Sequence, residues 1–107
     1  MIYIANAFSL NMLDLAVSHE LQIAPMTVQE VAEQLADYEV ISVVGHADTA
    51  AAFSDVLGID VPMNRASLEV KKGDVLLVGQ YKGSRLPEGA KTLPEGASIA
   101  WVGVLVL

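Results

Sequence analysis

The sequence predicts an α/β protein of the α+β type: a single mixed β-sheet of about five strands with helices packed on it. Three observations predict it. Short, apolar, β-prone runs recur along the chain, two segments among them carry apolar residues at helical spacing, and turns rich in Pro and Gly punctuate the second half. The 107 residues, 53% of them apolar, suit one domain with a packed core, so residues 1–107 are expected to form a single unit.

Ile2 to Ala5 is short and apolar and reads as a buried strand. Asn6 to Asn11 holds two Asn and one Ser, whose side chains compete for backbone hydrogen bonds and favour a turn. Leu13 to Ile23 is ambiguous: it could begin as a short helix and end as a strand at Glu20 to Ile23. Thr27-Val28-Gln29-Glu30 fits a capping box, and Val28, Val31, Ala32 and Leu35 follow at helical spacing, which predicts a helix over about 28–37. Val40 to Val44 reads as a central strand ending at Gly45. Ala47 to Leu57 is alanine-rich, with Phe53, Val56 and Leu57 on one side and Gly58 suited to its C-terminal cap. The second half reads as strands at Ala66 to Val70, Val75 to Tyr81 and Ile99 to Leu107, with a turn at Lys72-Gly73-Asp74. Between the last two lies a near repeat, Leu86-Pro87-Glu88-Gly89-Ala90 and Leu93-Pro94-Glu95-Gly96-Ala97.

Composition removes several classes of function. No cysteine is present, which excludes disulfides, thiolate nucleophiles and Cys-based metal sites. The two histidines lie far apart with no metal-ligand spacing, so neither a metal nor a cofactor is expected. The apolar C-terminal stretch, Ala97 to Leu107, is about half of the ~20 residues a membrane helix needs. No secretion signal marks the N-terminus. The protein is expected to be cytoplasmic, away from membranes, and homodimeric, because so small and apolar a chain leaves apolar surface to cover. The net charge of −7 weighs against a general nucleic-acid binder. Residues 1–64 hold nine acids and no Lys or Arg; all six basic residues, Arg65, Lys71, Lys72, Lys82, Arg85 and Lys91, fall between 65 and 91. A local anion site built from that segment is compatible with an acidic whole.

His46 follows Gly45 at a strand-to-helix junction. Such junctions aim backbone N–H groups and the positive helix end at a phosphate, and a histidine there can protonate a leaving oxygen; it can also merely cap the helix. His19, in a polar stretch, reads as a surface residue. Arg85 and Glu88 stand three apart with Pro87 fixing the turn between them. Arg suits bidentate contact with phosphate, and Glu can orient a histidine or accept a proton. Asn6, Ser9 and Asn11 can bind bases or ribose hydroxyls, or serve only as turn residues. Phe8, Tyr81 and Trp101 read as core.

The motifs together resemble the viral anti-CRISPR ring nucleases. Tyr3-Ile4-Ala5-Asn6-Ala7-Phe8-Ser9-Leu10-Asn11-Met12-Leu13 is similar to that family's opening signature, Val44-Gly45-His46-Ala47-Asp48-Thr49 to its histidine motif, and Asn64-Arg65 to a further pair. Gln80 and Arg85-Leu86-Pro87-Glu88-Gly89 resemble its last block. The elements run in the family's order. The resemblance implies a homodimer with a pocket across its two-fold axis and a ligand of matching symmetry, cyclic tetra-adenylate, the messenger of type III CRISPR defence. It implies His46 as general acid, Arg85 as a phosphate contact with Glu88 as catalytic neighbour, and Asn6, Ser9, Asn11, Arg65 and Gln80 as ligand contacts. A ribose 2′-OH attacking its own phosphate would need no metal and no protein nucleophile. Two other readings remain open from sequence: a dimeric DNA-binding regulator using Arg65, Lys71, Lys72 and Lys82, and a sponge that binds the messenger without cutting it.

Overall fold

The computed structural model describes all 107 residues. Five strands, β1 (Ile2–Ala5), β2 (Leu21–Met26), β3 (Val40–Ser42), β4 (Val75–Lys82) and β5 (Ser98–Val106), form one sheet in the order β2-β5-β4-β1-β3. β1 pairs in parallel with β3 and β4, while β5 runs antiparallel to both β4 and β2. The sheet is therefore mixed, as expected.

Two helices accompany it, α1 (Val28–Asp37) and α2 (Ala47–Leu57). α1 begins where the capping box places it: the Glu30 amide donates to Thr27 Oγ1 at 3.1 Å, and the Thr27 amide donates to Glu30 Oε1 at 3.0 Å. Two of the helix's orphan donors are thus satisfied by local side chains. α2 ends at Gly58, whose φ of 69° is the left-handed conformation that closes a helix without a Cβ clash.

Alternation along β4 sets up two cores. Leu77 joins Ile4, Val31, Val44, Ala50, Phe53, Leu57, Val61 and Trp101 on the face covered by both helices. Leu76 and Val78 point to the opposite face, with Ala5 and Val104. Phe8, Met12 and Leu68 cover that second face, so β4 is buried on both sides, as a continuous apolar run requires. Leu13, Val70 and Val106 close the end of the same layer.

Three expectations are corrected. Ala66 to Val70 is not a strand. Its alternating Leu68 and Val70 pack onto the second face, and Val70 reaches other backbone through its amide, which donates to the Met12 carbonyl at 2.7 Å. Period-two burial is satisfied here without joining the ladder. Second, the run at Val40 to Val44 is an edge strand, not a central one. Its burial comes from the segment Val61 to Arg65, which closes the edge. Ser42 Oγ donates to the Pro62 carbonyl at 2.6 Å, Asn64 Nδ2 donates to the Ser42 carbonyl at 2.7 Å, and the Asn64 amide donates to the Val44 carbonyl at 2.8 Å. Covering an edge in this way blocks stray strand pairing. Third, no helix begins at Leu13. A single 3₁₀ turn at Leu10–Met12 precedes an irregular stretch, and the following strand is longer than expected, running to Met26. At the opposite sheet edge it accommodates Pro25, which has no N–H to donate.

Candidate functional site

The three parallel strands β3, β1 and β4 end at the same side of the sheet. β1 delivers Asn6, β3 leads through Gly45 to His46, and β4 delivers Gln80 and Tyr81. The carboxyl ends of parallel strands are the usual place for a ligand crevice in α/β sheets. A cleft of about 790 Å³ opens there.

One wall is the N-terminal end of α2. His46 is the N-cap, with an extended backbone (φ −130°, ψ 130°), and its side chain makes no capping hydrogen bond. The reading of His46 as a mere cap therefore has no bond behind it: the imidazole is exposed and lines the cleft. Asp48 and Thr49, in the first turn of α2, line it too. The unpaired N–H groups and dipole at this end favour an anion.

A second part of the wall is the first Leu-Pro-Glu-Gly-Ala turn. The Ala90 amide donates to the Pro87 carbonyl at 3.0 Å, and Gly89 has a φ of 79°, open to glycine at little cost. The Gly89 amide then donates to Asp48 Oδ1 at 3.1 Å, which ties the turn to α2 across 41 residues of sequence. Arg85 and Glu88 both line the cleft. The second copy closes an equivalent turn, with the Ala97 amide donating to the Pro94 carbonyl at 3.0 Å, but its residues do not border the cleft. The local turn is the same in both copies; its placement distinguishes them.

Only 2 of the 11 lining residues are hydrophobic, which suits a polar, charged ligand rather than an apolar one. Asn6, His46, Gln80, Arg85 and Glu88 are brought together from positions scattered over the chain. Three other candidates lie elsewhere. Arg65 sits beside the cleft, its Nε donating to the Gly45 carbonyl at 3.2 Å. Ser9 is the N-cap of the 3₁₀ turn, its carbonyl accepting from the Met12 amide at 3.0 Å. Asn11 lines a separate hollow of about 590 Å³ with Asp14 and Glu69. His19 donates to the Asp14 carbonyl, away from the cleft. Tyr81, read as core, is a half-buried cleft residue whose hydroxyl bonds the Ser84 carbonyl. Thr49 and Asp48 were visible only as neighbours of His46; their position in the first turn beyond an N-cap is the signal that could have singled them out.

No helix is long and apolar enough to cross a membrane. The solved structure of B116 of Sulfolobus turreted icosahedral virus has the same fold, with a TM-score of 0.77 over 97% of each chain at 24% identity. A curated relative, uncharacterized protein 26 of Sulfolobus islandicus filamentous virus (isolate Iceland/Hveragerdi), is 33% identical over 103 residues, 94% of this chain and 86% of the relative. The family model described as STIV B116-like matches residues 2–97. With a relative of that identity and a family match across most of its length, the chain belongs to the STIV B116-like family, whose relatives named here are viral proteins.

Proposed function

We propose that the protein is a metal-independent ring nuclease that opens cyclic tetra-adenylate to linear diadenylates and so antagonises type III CRISPR signalling in the cytoplasm of a prokaryotic cell. One observation carries the reading: an unbonded imidazole at a helix N-terminus shares a polar cleft with Arg85 and Glu88. The resemblance of the motifs supplies the substrate.

In this mechanism the ribose 2′-oxygen attacks the adjacent phosphorus and the P–O5′ bond breaks, leaving a 2′,3′-cyclic phosphate. The 2′-OH proton leaves to the Glu88 carboxylate or to solvent water, and His46, acting as imidazolium, protonates the departing 5′ oxygen. Arg85 neutralises charge gathering on the phosphoryl oxygens, and Glu88 orients the imidazole or takes up a proton. Asn6 and Gln80, which also line the cleft, hold sugar or base groups. Ser9, Asn11 and Arg65, outside this cleft, act if the ring extends beyond one subunit's site. In a homodimer, two such clefts match the two-fold symmetry of the ring, and each makes one cut.

The test is incubation of the purified protein with labelled cyclic tetra-adenylate in excess EDTA, with products resolved. Diadenylate products are the expected outcome. A bound but intact ring would replace the enzyme with a sponge; an unbound ring with salt-sensitive duplex binding would replace it with a DNA-binding dimer.

A further inference from the structure

The geometry points to Asp48 as a positioning residue: its carboxylate latches the Arg85–Ala90 turn to the N-terminus of α2 and thereby holds Arg85 and Glu88 in the cleft that His46 also lines. For its activity arm this inference rests on the ring-nuclease reading.

The turn is stiff within itself. Pro87 fixes one backbone angle, Gly89 takes a left-handed one, and the Ala90 amide closes the loop on the Pro87 carbonyl. Its attachment is slight. Residues 83–97 contribute no helix or strand, and the bond from the Gly89 amide to Asp48 Oδ1 is the single hydrogen bond joining residues 85–92 to the rest of the chain. Apart from the chain itself and the Tyr81 hydroxyl's bond to the Ser84 carbonyl just before Arg85, this bond is the hold on the turn; without it the closed turn shifts as a body, carrying Glu88 and pulling on the adjoining Arg85. The tether is charge-assisted and anchored in the first turn of a helix, where a carboxylate is itself favoured. The second Leu-Pro-Glu-Gly-Ala copy makes the comparison internal. It forms the same turn, but the Gly96 amide has no such acceptor, and Glu95 stays outside the cleft. Placing the turn, not forming it, is what Asp48 contributes.

Asp48→Ala and Asp48→Asn separate the latch from other roles. Asn keeps an acceptor oxygen and loses the charge; Ala loses both. In Asp48→Ala the Gly89 amide should exchange with solvent roughly 5-fold faster or more, the size of one modest hydrogen bond, with α2 amides protected as before. In Asp48→Asn most of that protection should return. With cyclic tetra-adenylate, Asp48→Ala should lower kcat/KM on the order of 10- to 100-fold through a fall in kcat and a rise in KM together, because misplacement affects both Arg85 and Glu88. A loss of folded protein would lower kcat alone. Asp48→Asn should recover most of the activity. Unchanged Gly89 exchange in Asp48→Ala, or an Asn variant as impaired as Ala in exchange, overturns the latch. If the wild type leaves the ring intact, the ring-nuclease reading fails, and the exchange data still decide the latch.

Discussion

Phe53 of α2 and Trp101 of β5 pack with ring centroids 4.7 Å apart and planes inclined by 57°, directly over Gly79 of β4. A Cβ on Gly79 would lie 2.6 Å from Phe53 Cζ and 2.7 Å from Trp101 Cζ3, closer than such contacts allow. The absent side chain is what lets α2 sit down on the sheet, and α2 carries His46 while β4 carries Gln80. Both rings are buried, so neither can swing aside freely. Gly79→Ala should therefore cost about 1–3 kcal/mol, the usual penalty of overpacking. A urea midpoint equal to the wild type's would show that the rings give way.

Thr27→Ala should cost about 1 kcal/mol, the ordinary value of an N-cap side chain. The lost bond is local and exposed, so the effect belongs to α1. Amide exchange confined to the first turn of α1 is the expected signature. Faster exchange across the sheet would show that the cap supports more than its helix.

Asn64→Ala removes the bond from Nδ2 to the Ser42 carbonyl but leaves the backbone bond to Val44. A loss of about 0.5–1.5 kcal/mol follows from one hydrogen bond. The looser edge should also free Arg65 from the Gly45 carbonyl, next to His46. Stability by urea denaturation and KM for the ring would be read together; a stability loss with unchanged KM would separate Arg65 from ligand binding.

His46→Ala should slow ring opening by about 10²–10⁴, the usual contribution of one acid–base group. The imidazole makes no hydrogen bond in the fold, so the melting temperature should barely move. Full activity in this variant would remove His46 as the acid.

Glu88→Gln and Glu95→Gln test the tandem turns against each other. Both residues are exposed, and both sit before a glycine in equivalent turns, with φ of 79° at Gly89 and 81° at Gly96. Only Glu88 lines the cleft. Glu88→Gln should lower kcat measurably, while Glu95→Gln should match the wild type. Equal loss in both would mean that the cleft extends over the second turn.

Local chemistry made much of this protein legible in its sequence. Helix α1 follows from Thr27, Glu30 and the spacing of Val28, Val31 and Leu35, and its bounds agree with the expectation because a capping box acts within four residues. The end of α2 at Gly58 and the strands β1, β4 and β5 follow in the same way from short-range patterning. The candidate residues His46, Arg85 and Glu88 could each be picked by type and neighbours. What the sequence could not decide was everything that depends on pairing between distant segments. The strand order put Val40–Ser42 at an edge, and Leu68 and Val70 found burial as cover for a sheet face rather than within it. The same holds for the cleft. Its walls come from Asn6, His46, Gln80 and the turn at 85–88, and of two nearly identical turns the one that borders it is the one whose Gly89 amide bonds Asp48. Periodicity and capping act over a few residues and are written locally. Proximity across 41 residues exists only once the sheet has set which strand ends lie side by side.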